Sequence, residues 1–429
     1  MTTSTEPPTP TVTARPMSPN LALNQLVAER RALGDDILHL GFGESRLPAF
    51  DPLVEHLLAG ARRNGYGAVQ GDAAVREAVA GYFTRRRMPT GPDQVVVAPG
   101  SKPLLMALNL VLPGDVVIPR PAWNTYAPQA AIAGRHAVSV PIPAEAGGVP
   151  DPAALRATLH AERRAGRDPR TVILTLPDNP TGTLASPALI WEICAIAEQE
   201  NLTVVSDEIY RDVVHDPTTP FLSPSEVIPH RTVVTSGLSK SLALGGWRIG
   251  VARFPGDEAG LALRDDVLSV ASEVWSTLAG PMQQVAAYAF AEPPELRAHL
   301  AASARLHGAV ARAVHEIFVA AGATCRPPTG AFYVYPDFEP LRPVLAAKGV
   351  TDSPSLARHL LDECDLVVLA GHLLGDDVHA LRFKAATSML YGDTPALQWQ
   401  SLRAADPLAL PHVARALARI GRGVERLVS

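Results

Sequence analysis

Lys240 sits in "SGLSKSLALGGWRIG", residues 236–250, where the only other charged residue is Arg248. A solvated surface lysine needs no such setting. A poorly solvated ammonium loses its proton more easily, which frees the amine to attack a carbonyl. Arg248, eight residues on, offers a planar fork of donors suited to a phosphate. Three further segments place polar groups directly after apolar runs. "LTLPDNPTG" carries Asn179, "LTVVSDEIY" carries Asp207 and Tyr210, and "VVVAPGSKPLL" carries Gly100, Ser101 and Lys102 at the start of a helical pattern. Trp123 in "RPAWNTY" adds a flat aromatic surface. Taken singly, each has a plainer reading: Asn179 before Pro180 is a turn and Asp207 a helix cap. Together they supply a lysine, a carboxylate, a phenol, an amide and a helix N-terminus.

That set meets the needs of pyridoxal 5'-phosphate. The cofactor requires a lysine Schiff base, a carboxylate beside its ring nitrogen and an anion pocket at a helix N-terminus. Lys240 is the candidate lysine. Asp207 is the candidate partner of the ring nitrogen, since a buried carboxylate favours the protonated ring. Asn179 and Tyr210 are candidate donors to the phenolic oxygen. Arg248 with Gly100, Ser101 and Lys102 would take the phosphate, and Trp123 would stack on the ring.

The elements that must position these residues follow from hydrophobic periodicity. "QVVVAPG", "DVVIP", "HAVSVPI", "TVILTLP", "LTVVSD", "TVVTSG" and "IGVARF" read as short strands, several of them separated by helical stretches such as "SKPLLMALNLVL". This alternation predicts an α/β fold with a mostly parallel sheet flanked by helices, and ligands at the carboxyl ends of its strands. "PPELRAHLAASARLHGAVARAVHEIFVAAG" predicts one long helix bridging to a smaller α+β domain that contains "GAFYVYPDF", "DLVVLAG" and "ALRFKAATS". The expected boundaries are a disordered arm over 1–19, an N-terminal part of the small domain over 20–55, the large cofactor domain over 56–300 and the C-terminal small domain over 301–429.

Bulk properties narrow the partners. The 429 residues carry a formal net charge of -5 and no long basic block, which argues against nucleic acid. No apolar run is long enough for a bilayer and no secretory signal opens the chain, so a cytoplasmic enzyme without membrane contact is expected. The three cysteines, Cys194, Cys325 and Cys364, form no metal-binding spacing, and no metal is expected.

From about Asn20 onward the chain resembles the fold type I pyridoxal-phosphate enzymes of the class I/II aminotransferase family, which includes aspartate aminotransferase. "GLSKSLALGGWRIG", "NPTG", "SDEIYRD", "PAWNTY" and "YGAVQGDAAVREAVAGYF" carry the resemblance, in the family's order. It implies an aminotransferase that moves an amino group between an amino acid and a 2-oxo acid. The alternative within the same cofactor chemistry is elimination, replacement, carbon–carbon bond formation or oxidation. The resemblance gives Lys240, Asp207 and Tyr210 catalytic roles, and Lys240 also shuttles the α-proton. Ser239 joins the cofactor residues. Tyr66 resembles the tyrosine that reaches the phosphate of a neighbouring subunit, implying a homodimer with shared sites. Arg382 in "ALRFKAATS" matches the arginine that clamps the substrate carboxylate, and Gly43 in "GFGES" the glycine that closes over it, with Trp123 and Asn179 also near substrate.

Two departures stand out. Gly237 occupies a position that is often serine, so Ser236 or Ser239 must replace that phosphate contact or it is lost. His372 stands where a small residue is expected, and Lys384 follows two residues after Arg382. The plain reading is a loop histidine and a solvated lysine. The sharper reading is an altered substrate pocket, with Lys384 on the face of Arg382.

Overall fold

The computed structural model describes residues 18–429. The arm expected over 1–19 lies outside them except for Ser18 and Pro19, and Pro19 already opens a helix, Pro19–Ala32. Short strand β1 is Leu38–His39. Seven strands then build one sheet: β2 (Val95–Ala98), β3 (Asp115–Arg120), β4 (Ala137–Pro141), β5 (Pro169–Thr175), β6 (Thr203–Asp207), β7 (Thr232–Gly237) and β8 (Gly250–Arg253). Their spatial order is β2-β8-β7-β6-β5-β3-β4. These are the seven strands that the apolar runs predict.

Alternation along the strands explains the layering. Val116, Ile118, Ile173 and Val205 pack into one apolar cluster, and their chain neighbours Val117, Val172, Leu174 and Val204 into another. Successive side chains leave opposite faces, so both faces are covered, as expected of a mainly parallel sheet.

β8 runs antiparallel to both β7 and β2, while the other pairs are parallel. The start of β8 therefore lies at the edge where β2, β5, β6 and β7 end. Ala98 pairs with Gly250, and Gly250 with Gly237. Arg248 thus reaches the same edge as Lys240 although its strand runs the other way.

Beyond the sheet, the helix Pro294–Ala320 spans 27 residues. Its later part, with Leu306, Val310, Val314 and Phe318, joins a separate apolar cluster that also holds Leu40, Phe383 and Leu427. Around that cluster lie β9 (Thr324–Cys325), β10 (Tyr333–Val334), β11 (Pro336–Asp337), β12 (Leu366–Val367), β13 (Leu369–Ala370) and β14 (Phe383–Ala386). β10, β14 and β13 form an antiparallel three-stranded sheet. β1 pairs with β12, which ties the N-terminal segment to this unit. Among the described residues, no helix is long and apolar enough to cross a membrane.

Candidate active site

The carboxyl ends of β5, β6 and β7 open into a crevice of about 310 Å³. Asp207 ends β6 and is buried. Tyr126 donates its hydroxyl to Asp207 Oδ2 at 2.8 Å, and Thr235 donates to Oδ1 at 3.3 Å. Burial pushes the Asp207 carboxyl up to about 6, because low polarity disfavours its charge. No cation among the described residues forms an ion pair with it. The neighbouring Glu208 does have one, Arg211 Nη1 at 2.6 Å. Asp207 is thus a buried carboxylate that awaits a cationic partner.

Lys240 stands in the loop after β7 and is half-buried. Burial lowers its ammonium to about 8, against the pull of Glu44. Its Nζ donates to the Gly43 carbonyl at 2.5 Å and lies 5.9 Å from the centre of the Tyr210 ring. The Tyr210 hydroxyl is 2.5 Å from that of Tyr333. Asn179 is placed by its own turn: Asp178 Oδ2 accepts from the Thr181 backbone N–H and hydroxyl, bending the chain so that Asn179 lines the crevice. Asn179 Oδ1 is buried and has no hydrogen-bond partner.

At the other end of the crevice, the helix Ser101–Val111 begins. Gly100 precedes it with φ at 96°, a conformation that favours glycine. A Cβ there would lie 2.4 Å from Arg248 Nη2, so only glycine lets the guanidinium settle against the helix start. Arg248 itself is left-handed, with φ at 58°. Lys102 Nζ lies 5.3 Å from the centre of the Trp123 ring. Free helix N–H groups, Arg248 and Lys102 together form an anion cradle.

Gly237 has a structural reason. A Cβ there would stand 2.6 Å from the Ile249 carbonyl oxygen, because β7 and β8 approach closely. Serine does not fit. Ser236 Oγ turns to the Glu208 carbonyl at 3.3 Å, whereas Ser239 lines the crevice.

The structure therefore brings together Gly43, Ser101, Lys102, Trp123, Asn179, Asp207, Tyr210, Ser239, Lys240 and Arg248, with Gly100 directly behind. It does not bring Arg382 there. Arg382 Nε bonds Asp337 Oδ2 at 2.8 Å, and Nη1 lies 3.3 Å from Asp376 Oδ2, in a separate cleft shared with Arg120 and Arg326. Lys384 lines the crevice instead, with its Nζ 5.0 Å from the centre of the Tyr333 ring. A step of two along a strand keeps the face but moves about 7 Å, enough to put the two side chains in different cavities. Lys384 is 1% exposed, so it is not the solvated lysine of the plain reading. His372 is also absent from the crevice. It sits in the short turn Gly371–Leu374, 3.3 Å from Ser353 Oγ. Tyr66 lies away from the crevice and is 93% exposed.

Sequence reasoning missed Tyr126, Thr175, Phe42 and Tyr333, which also line the crevice. Thr175 ends β5, and Tyr126 closes the "PAWNTY" stretch, so strand-end position was an available signal. Leu21 and Asn20 were missed as well. Asn20 Nδ2 bonds Asn124 Oδ1 at 2.9 Å, which fastens the first helix beside the opening.

The residues present fit pyridoxal phosphate. Asp207 lacks a cation, and a cationic cradle lies at a helix start.

The sequence profile of the family described as aminotransferase class I and II matches residues 35–389. An aspartate/prephenate aminotransferase of Cereibacter sphaeroides is 32% identical over 377 residues, covering 83% of this chain and 89% of that protein. One from Thermus thermophilus is 30% identical, covering 77% and 84%. The solved Thermus thermophilus aspartate aminotransferase with maleate superposes with a TM-score of 0.79 at 24% identity, covering 95% of this chain and 97% of that one. At that identity the superposition speaks for the fold alone.

Proposed function

The chain belongs to the class I and II aminotransferase family, and from that premise we propose how its own residues carry out amino transfer. It is a pyridoxal-phosphate-dependent transferase of fold type I. Bound in the crevice, the cofactor supplies the electron-withdrawing ring that makes an amino acid's α-hydrogen acidic. The observation that carries the assignment of roles is Asp207. It is buried, without a counter-ion, and opens into the same crevice as Lys240 and the Arg248 cradle.

Asp207 holds a proton on the ring nitrogen through charge, while Tyr126 and Thr235 keep its carboxylate aimed. A cation placed there reverses the effect of burial and keeps Asp207 ionised. Arg248, Lys102, Ser101 and Ser239 would hold the phosphate, with Gly100 giving them room. Trp123 would offer its flat surface to the ring. Tyr210 and the Asn179 amide N–H would donate to its phenolic oxygen. Lys240 holds the cofactor and carries the proton to and from the substrate α-carbon. Its lowered pKa keeps a useful fraction as the neutral base near neutral pH.

The substrates are an amino acid and a 2-oxo acid, and aspartate, in the relatives' names, is the first donor to test. The enzyme works as a homodimer in the cytoplasm. Tyr66 supports the dimer, since so large an exposed aromatic suits a partner surface. The separate apolar cluster around Phe383 supports a small domain over 20–55 and 301–429 beside a large domain over 56–300.

The test adds single amino acids to the holoenzyme. The cofactor's visible absorbance should fall to that of the amine form with stoichiometric release of the 2-oxo acid, and return on adding a second 2-oxo acid. Release of ammonia or of a side-chain fragment, without amine-form cofactor, overturns the reading in favour of elimination.

A further inference from the structure

Tyr210 and Tyr333 line one crevice from different parts of the fold. Tyr210 follows β6 of the large sheet, and Tyr333 opens β10 of the small unit. Their hydroxyl oxygens stand 2.5 Å apart, the ring centres are 5.6 Å apart, and both side chains are buried. Among the described residues neither hydroxyl has another hydrogen-bond partner. Each phenol owns one proton, and only one of the two protons can lie between the oxygens. In the pair alone, either tyrosine can be the donor. The role given to Tyr210 removes that freedom. If its proton goes to the cofactor's phenolic oxygen, the hydrogen inside the pair has to come from Tyr333. Gly43 leaves room for this on the other side, since a Cβ there would lie 2.2 Å from the Tyr333 oxygen.

We propose that Tyr333 is a positioning residue: it donates its hydroxyl proton to Tyr210, which fixes Tyr210 as a donor to the cofactor's phenolic oxygen and strengthens that donation. The inference rests on the aminotransferase reading and names a residue to which that reading gives no part. A hydroxyl that accepts a hydrogen bond is polarised and donates a stronger one. A stronger bond to the phenolic oxygen favours its anionic form, so the cofactor joined to Lys240 holds its proton less tightly. The groups around the pair are few. Asp207 and Tyr126 approach Tyr210 from β6 and the helix Tyr126–Ile132, and Lys240 Nζ lies 5.9 Å from its ring centre. Around Tyr333 stand Lys384 of β14, 5.0 Å from the ring centre, and Asp178, just past β5. Burial raises both phenols above the usual range. Each therefore keeps its proton near neutral pH, and the chain between them stays a neutral one. Since Tyr333 belongs to the small unit, that unit takes part in setting the acidity of a cofactor held by the large one.

The test is a pH titration of the holoenzyme's visible band, without substrate, run as a double-mutant cycle. Tyr333→Phe keeps the ring and removes the proton. It should raise the midpoint by about 0.3–1 pH unit, the size of one neutral hydrogen bond. Tyr210→Phe should raise it by about 1–2 pH units, the size of a bond to a charged group. Tyr210→Phe/Tyr333→Phe should titrate within about 0.2 pH unit of Tyr210→Phe, because Tyr333 acts only through Tyr210. Tyr333→Met serves as a second variant without the hydroxyl should Tyr333→Phe fail to fold. An unchanged midpoint in the Tyr333 variants overturns the proposal. So does an equal rise with and without the Tyr210 hydroxyl, which a merely structural role would give. Either result leaves the aminotransferase reading standing. A wild-type protein that gains no visible band on adding pyridoxal phosphate overturns that reading and this inference with it.

Discussion

Lys240 Nζ and the Gly43 carbonyl oxygen meet at 2.5 Å, joining the loop after β7 to the chain just beyond β1. One residue comes from the large sheet and the other from the segment paired with the small unit. The Lys240 amine is therefore held in place by a segment that borders the same crevice. Gly43 can take this position only because Tyr333 is opposed by hydrogen rather than by a methyl group.

Gly43→Ala should disturb this arrangement. Its Cβ would meet the Tyr333 hydroxyl at 2.2 Å, and relief requires the segment or the ring to move. A loss of about 1–3 kcal/mol is expected from overpacking, together with a raised KM. The double variant Gly43→Ala/Tyr333→Phe, which removes the opposing oxygen, should recover part of both. Equal KM values in the single variant and wild type, read by steady-state kinetics, would show that Gly43 does not shape the substrate site.

Lys240→Ala should abolish turnover, and borohydride should then fix no cofactor to the protein, as judged by mass spectrometry of the reduced chain. Specific labelling of another lysine in this variant would move the assignment elsewhere.

Uptake of pyridoxal phosphate by the apoprotein should quicken as pH rises through about 8. Burial lowers the Lys240 ammonium to that value, and only the neutral amine attacks an aldehyde. Below it most of the population is protonated and slow. Stopped-flow absorbance between pH 6.5 and 9 measures the rate, and a flat profile would contradict a lysine tuned by burial.

Asp207→Asn should retain the cofactor but slow α-proton removal by orders of magnitude, because a neutral amide does not keep the ring nitrogen protonated. The Arg248 cradle is untouched, so phosphate affinity should persist. Hydrogen–deuterium exchange at the substrate α-carbon reads the step directly, and a wild-type exchange rate would remove Asp207 from its role.

Arg382→Gln should act on stability. It leaves Asp337 and Asp376 without their shared cation. Arg382 and Asp337 are partly exposed but the Asp376 side chain is nearly buried, so the cost is about 1–3 kcal/mol. Thermal unfolding should show a lower midpoint, and an unchanged one would deny the pairing a part in stability.

Much of this protein is legible in its sequence for a local reason. Asp207 ends an apolar strand and Lys240, Asn179 and Ser101 lie in the turns just beyond one, and the ends of parallel strands gather at one edge whatever the details of packing. The seven runs from "QVVVAPG" to "IGVARF" become the seven strands of one sheet, since alternation and length are properties of the segment itself. Other features depend on partners distant in the chain. Arg248 reaches the site because β8 lies antiparallel between β7 and β2, an orientation that the run "IGVARF" does not encode. Gly237 excludes serine because Ile249 crosses close by. Arg382 and Lys384 share a strand pattern and a charge, and period two puts them on one face. Asp337 stands across from Arg382 and draws its guanidinium into a separate cleft, while Leu369 and Tyr333 leave Lys384 facing the crevice. Which cavity each of the two cations faces is set by what the tertiary fold places opposite it, because strand alternation fixes only the face from which a side chain leaves.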